Sequence, residues 1–275
     1  MTPIYQHLER ARRSRRLLGL KSAATMYARH ATAAALSHSP MRAVLPADLE
    51  ALMANGTVVT SARDAGSRLS VGNHDVELLQ DEYTEVRTHI QDKLDQCRLT
   101  GRLTHPIDWG LGIESSLLLY VLVRTLRPSL VCETGVANGV STTLILHALL
   151  RNGAGRLHSI DIAHDVGALV PDEQRHAWTL HVLDRSAPRR SFAHVVSELP
   201  QATELFLHDS DHSYSWQKYE LETIWRSLAP RAVVLMDDAH ASLALSDFCR
   251  ARTLALTLLV ESRKVMGIIG SSRGS

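Results

Sequence analysis

The sequence of 275 residues is poor in cysteine, holding only Cys97, Cys132 and Cys249. None has a partner at metal-ligand spacing, which excludes a zinc-ribbon or finger type of module. An odd and sparse count, with no secretory signal in view, points to a reducing compartment and a cytoplasmic location. Long apolar runs are also missing. Apolar residues make up 45%, ordinary for a globular protein and too many for a disordered one. No run reaches the length of a membrane span, and no membrane partner is expected. Charge of one sign is not in excess either: the net charge of +1 argues neither for nor against nucleic acid. Basic residues do concentrate in the first forty positions, among them Arg10, Arg12, Arg13, Arg15, Arg16, Lys21 and Arg29. A transit peptide shares that composition. The preferred reading is a pair of basic amphipathic helices lying on their own domain, because aromatic interleaving is absent beyond Tyr5 and Tyr27 and no nucleic-acid partner is expected. Internal repeats and low-complexity segments are absent.

A further absence is informative. The stretch Val131–Ile145, VCETGVANGVSTTLI, reads as a short buried strand, a glycine turn and a helix. A dinucleotide fingerprint needs G-x-G-x-x-G, and here the middle glycine is missing between Gly135 and Gly139. An acid, Glu133, stands two residues before the first glycine. This E-x-G-x-x-x-G spacing resembles motif I of the class I S-adenosylmethionine (SAM) methyltransferases. SAM carries an ammonium and a sulfonium and no phosphate, so a carboxylate beneath the turn suits it and would repel a pyrophosphate. Glu133, Thr134, Gly135 and Gly139 are the first candidate cofactor contacts, with Glu133 expected near the amino end.

Along the chain, residues 38–75 read as a loop region with a short helix near Ala47–Met53 and a brief strand at Thr57–Thr60. Val76, Leu79, Tyr83, Val86 and Ile90 recur at spacings of three and four and predict a long helix with a narrow apolar stripe. That stripe can pack on its own domain or on a second copy, so a homodimer or higher oligomer is an open expectation. The apolar segment Ile113–Leu126 predicts a buried helix. Strands are expected at Leu157–Asp161, Trp178–Leu183, Thr203–Leu207 and Ala232–Met236, with helical segments between them. Such alternation predicts a parallel sheet covered on both faces. Leu254–Val260 and Lys264–Ile269 are too closely linked for anything but an antiparallel hairpin. The expected fold class is therefore α/β: a class I methyltransferase, Rossmann-like sheet of seven strands with an antiparallel last strand. Residues 1–104 are expected as an N-terminal helical extension, a lid or a dimerisation element, and residues 105–275 as the SAM-binding domain.

Asp161 ends the second of these strands, where an acid can accept both hydroxyls of a ribose. Asp184 follows the third, in LDRS, in the loop that lines the adenine in methyltransferases. The densest chemistry follows the fourth and fifth: His208, Asp209, Ser210, Asp211, His212, and then Asp237, Asp238, Ala239, His240. Both clusters stand at carboxyl ends of parallel strands, the ligand edge of such sheets. Capping of the following helices explains one aspartate per cluster. Three carboxylates with open positions suit a hard cation such as Mg²⁺, and nearby histidines keep Mn²⁺ or Zn²⁺ open.

Together ETGVANGVSTTLIL, LHSID, FLHDSDHSY and VVLMDD resemble the SAM-dependent methyltransferases grouped with cephalosporin-hydroxylase-like and macrolide- or aminocoumarin-sugar O-methyltransferases, over about Trp109–Ile269. The resemblance implies Asp209, Asp237 and Asp238 as ligands of Mg²⁺ or Mn²⁺ and Asp211 as base. Asp209 also borders the cofactor. Two departures stand out: motif I reads GVANG where the sugar enzymes have an aromatic and an arginine, and His212 and His240 occupy positions with no fixed residue. His212 is the alternative base. The leading expectation is a metal-assisted O-methyltransferase acting on a hydroxyl of a small sugar or natural-product acceptor. The alternatives are a non-catalytic SAM- or nucleotide-binding partner protein and an NAD-dependent oxidoreductase. A nucleic-acid methyltransferase is disfavoured, since no aromatic follows Asp237 or Asp238 to stack a flipped base.

Overall fold

In a computed structural model, residues 46–261 and 264–270 are described. The basic N-terminal segment of the sequence reading lies outside them. The described chain begins with α1 (Pro46–Asn55), β1 (Thr57–Val59), α2 (Ala62–Arg68) and α3 (Asn73–Leu99), followed by a short 3-10 turn (Ile107–Trp109) and α4 (Ile113–Leu126). The alternating part is β2 (Leu130–Thr134), α5 (Val140–Asn152), β3 (Arg156–Asp161), β4 (Trp178–Val182), α6 (Pro188–Ser197), β5 (Thr203–His208), α7 (Tyr214–Ile224), β6 (Leu228–Met236) and α8 (Ala244–Arg252), and it closes with β7 (Thr257–Val260) and β8 (Val265–Gly270).

These strands form one sheet in the order β1-β7-β8-β6-β5-β2-β3-β4. β8 runs antiparallel between β6 and β7, and the other pairs are parallel. The sequence expectation of seven strands is corrected to eight, because β1 adds itself in parallel to β7, with Thr57 opposite Thr257. Period-two alternation explains why both faces are covered. Val131, Leu205, Leu207, Val233 and Leu235 point into the core beneath α2–α5. Cys132, Phe206, Val234 and Met236 point into the other core, with Phe192, Leu221 and Phe248 from α6, α7 and α8.

The region read as loop around residue 65 contains α2, whose start is fixed by Ser61 accepting from the Asp64 N–H at 3.1 Å. α3 buries Val76, Tyr83, Val86, Ile90 and Cys97 against α4 and α5. The Tyr83 hydroxyl meets Ser116 Oγ at 2.6 Å, and Glu82 accepts from Tyr120 and from Arg124, each at 2.6 Å. The stripe is thus consumed by the domain's own core, and β1 is a strand of the sheet itself. From Pro46 onward the chain is one compact unit, with no boundary near residue 104. No described helix is long and apolar enough to cross a membrane.

Candidate active site

The strand order reverses between β2 and β5, both of which neighbour one another while their connections run to opposite sides. That crevice is where ligands sit in open α/β sheets. The turn after β2 holds Gly135 at φ +80° and Gly139 at φ +89°. A Cβ on Gly135 would stand 1.9 Å from the backbone oxygen of Asp209, so only glycine lets the turn touch the loop after β5.

The carboxylate of Glu133 is completely buried. It accepts from Ser141 Oγ at 2.5 Å, Thr142 Oγ1 at 2.7 Å and Ser159 Oγ at 2.8 Å. Burial pushes its pKa up and the three hydroxyls pull it back. Glu133 therefore ties β2 to the first turn of α5 and to β3, and it is closed off from the crevice. Thr134 is likewise turned inward, donating to Glu220 Oε2 at 2.9 Å. Asp161 lies where the sequence expects it. One oxygen accepts from Val136 N–H and the other from Ala163 N–H, each at 2.8 Å. A carboxylate has about four acceptor sites, so this one retains capacity for a vicinal diol while being held rigidly beside the glycine turn. Asp184 is exposed and makes a turn, accepting from Ser186 N–H at 2.8 Å and Ser186 Oγ at 2.7 Å. Those bonds hold its pKa below the usual carboxylate range.

At the ends of β5 and β6 the structure gathers Asp209, Asp237, Asp238, His212 and His240. His212 Nδ1 lies 3.6 Å from Asp238 Oδ2 and His212 Nε2 4.0 Å from Asp209 Oδ1. His240 Nδ1 is 3.9 Å from Asp238 Oδ1. Asp238 adopts φ +48°, a left-handed conformation that aspartate tolerates better than most residues. Asp211 is not part of this group. It is exposed, and its carboxylate accepts from Ser213 N–H at 2.8 Å, an Asx turn leading into α7.

Sequence reasoning missed two participants. The first is Lys264, whose Nζ donates to Asp237 Oδ2 and lies 3.8 Å from Asp238 Oδ2. Its position follows from topology: β8 is antiparallel to β6, with Met236 opposite Gly267. The residue just before β8 must therefore reach the edge where β6 ends. Burial opposes the charge on Lys264, but Asp237, Asp238 and Asp209 outweigh it and raise its pKa further. Burial, and then Asp237, push Asp209 well above the usual carboxylate range. Burial and Asp238 push Asp237 up to about 6, with Lys264 opposing. Burial and the neighbouring negative charges thus disfavour full ionisation of both carboxyls.

The second is Glu220, buried on α7. It accepts from His208 Nδ1 at 2.6 Å, Ser210 Oγ at 2.9 Å and Trp216 Nε1 at 2.5 Å. Gln217 and Glu220, polar residues on the apolar face of α7 beside Leu221 and Ile224, were the available signal. His208 and His212 meet edge to face at 5.7 Å. The buried Nε2 atoms of both rings have no hydrogen-bond partner. Burial lowers the His212 pKa to about 4 against the opposing pull of Asp238, so at neutral pH the imidazole is uncharged.

The expectation of Asp209, Asp237 and Asp238 as ligands of Mg²⁺ or Mn²⁺ fails a test of fit. The Lys264 ammonium already sits on Asp237 and lies 3.8 Å from Asp238, so it occupies the side of the carboxylates that a metal ion would need. Among the described residues, no group of three or more His, Cys, Asp or Glu side chains is arranged to hold a metal ion.

Residues 132–239 match a family model described as a methyltransferase domain. No curated protein sequence matches the chain. Among solved structures, an O-methyltransferase from Bacillus cereus in complex with SAH is similar at TM-score 0.51 and 13% identity, covering 66% of this chain and 89% of that one. A putative caffeoyl-CoA O-methyltransferase from Staphylococcus aureus is similar at TM-score 0.52 and 11% identity, covering 71% and 99%. At these identities the likeness speaks for the fold.

Proposed function

We propose that this chain, whose residues 132–239 match a methyltransferase-domain model, is a SAM-dependent methyltransferase that methylates a hydroxyl of a small-molecule acceptor with His212 as the base. The observation that carries the reading is the His212 imidazole: uncharged, half-buried at the carboxyl ends of β5 and β6, with an Nε2 that has no hydrogen-bond partner. When bound, SAM supplies an electrophilic methyl group on a sulfonium that leaves as a neutral thioether.

The residues present suit that cofactor. Asp161, anchored by two backbone N–H groups, has acceptor capacity for the ribose diol. The Gly135 turn brings main chain to the crevice, and the carboxylates of the rim favour a cationic ligand. Asp238 faces His212 Nδ1, which favours the tautomer with its proton on Nδ1 and its lone pair on Nε2. An acceptor hydroxyl placed at Nε2 passes its proton there while its oxygen forms the new bond to carbon. The fold's main contribution is alignment of oxygen, carbon and sulfur. Sugar and natural-product hydroxyls are the acceptor class that this reading puts first, in keeping with a rim of hydrogen-bonding side chains. The divalent cation of the sequence expectation has no part in it.

Radiolabelled SAM incubated with a panel of sugar and phenolic acceptors tests the proposal. Label should appear as an ether methyl and disappear with His212→Gln. Tight SAM binding with no transfer to any hydroxyl would favour the non-catalytic binding protein instead.

A further inference from the structure

Clusters of three carboxylates at the ends of two neighbouring strands invite a cation, and here the fold supplies one of its own. Lys264 reaches the rim from the tip of the β7–β8 hairpin and touches Asp237 and Asp238. Its placement is built at several points. Glu261 N–H donates to the Lys264 carbonyl at 2.9 Å, and Ala239 N–H donates to the Val265 carbonyl at 2.9 Å, so the hairpin is closed immediately beside the lysine and stitched to the turn after β6. The Glu261 carboxylate accepts from Glu114 N–H at 2.8 Å and Ser115 N–H at 3.2 Å, clasping the same tip to the start of α4. A Cβ on Gly112 would stand 2.0 Å from Glu261 Oε2, so glycine is required for that clasp. The Lys264 side chain is 16% exposed and that of Asp237 is fully buried, so the ammonium is the part of this pair that a ligand can reach.

We infer that Lys264 holds the place of a divalent cation, making the site metal-independent and giving the acceptor hydroxyl a fixed ammonium to bind against. In the transfer step the acceptor hydroxyl loses its proton to His212 Nε2, its lone pair forms the O–C bond, and the electrons of the breaking C–S bond stay on sulfur. Lys264 keeps its three protons throughout and acts by charge, and Glu261 is a positioning residue behind it. This inference rests on the methyltransferase reading for its chemistry, but its cation component does not.

Mn²⁺ titration of the full chain, followed by electron paramagnetic resonance, separates the two. The wild type should leave the free Mn²⁺ signal as in buffer up to millimolar metal. Lys264→Met, checked as folded by circular dichroism, exposes the carboxylates and should bind Mn²⁺ at least ten-fold more tightly, an affinity that Lys264→Arg does not gain. In parallel, wild-type turnover should be the same in EDTA and in Mg²⁺. A wild-type Mn²⁺ site abolished by Asp237→Asn, or turnover lost in EDTA and restored by Mg²⁺, would overturn the inference. Absence of turnover with every acceptor would instead strike the methyltransferase reading and leave the Mn²⁺ result standing.

Discussion

Replacing Glu133 separates two roles that the motif I acid could have. Its three hydroxyl donors lie at 2.5, 2.7 and 2.8 Å, two on Oε2 and one on Oε1. Glu133→Gln can keep its carbonyl oxygen on Thr142 and Ser159 and turn its amide toward Ser141, whose hydroxyl rotates to accept. What is lost is charge assistance, about 1 kcal/mol per bond. What is gained is relief from burying a charge, which already pushes this carboxyl's pKa upward. The net cost should be about 0–2 kcal/mol. Glu133→Ala leaves three buried hydroxyls without their acceptor and opens a cavity, so about 3–5 kcal/mol is expected. Urea denaturation gives the stabilities and calorimetry gives SAM affinity. If Glu133 acts only by tying β2, α5 and β3 together, SAM affinity should follow stability, and the glutamine variant should bind nearly as well as wild type. A glutamine variant with wild-type stability and a hundred-fold loss of SAM affinity would refute the interior role.

Three further outcomes are expected. His212→Gln should lower the transfer rate by about 10²–10⁴-fold at unchanged SAM affinity, while Asp211→Asn, which preserves the Asx turn, should keep the rate within about two-fold and stability within roughly 0.5 kcal/mol. Because the folded-state pKa of His212 is depressed to about 4, its contribution to stability is complete above about pH 6.5 and is lost as pH falls through 4. The stability gap between wild type and His212→Gln should therefore close by at most about 3 kcal/mol over that window, and a gap that stays constant with pH would contradict the assignment. Gly135→Ala forces a side chain into a φ of +80° and onto the Asp209 backbone. It should cost more than the roughly 1–3 kcal/mol of backbone strain alone and abolish SAM binding, as read by thermal shift with and without ligand.

The sheet was legible because its strands are short apolar runs alternating with helical segments, and because the short link between Val260 and Val265 permits only a hairpin. β1 was legible as a brief strand but not as a member of the sheet, which depends on its distant partner β7, and the seven residues of α2 carry too little periodicity to stand out from loop. In the site, Asp161 was legible as an acid at a strand end, and Asp209, Asp237 and Asp238 as neighbours at one edge. The state of that edge was not, because it depends on Lys264, distant in sequence and brought there by the antiparallel β6–β8 register. Residue type alone also could not separate Asp211 from His212. The Ser213 N–H captures Asp211, whereas His212 lies between Asp209 and Asp238, and neither placement shows in residue type.

The central claim is that the crevice between β2 and β5 is a SAM site, and calorimetric titration of wild type and Asp161→Ala with SAM and with NAD tests it directly. Wild type should bind SAM and not NAD, and Asp161→Ala should weaken SAM by about 1–3 kcal/mol, the cost of unmade charged hydrogen bonds, after stability has been matched by working well below the melting temperature. Binding of NAD in place of SAM, or SAM affinity untouched by loss of the Asp161 carboxylate, would contradict it.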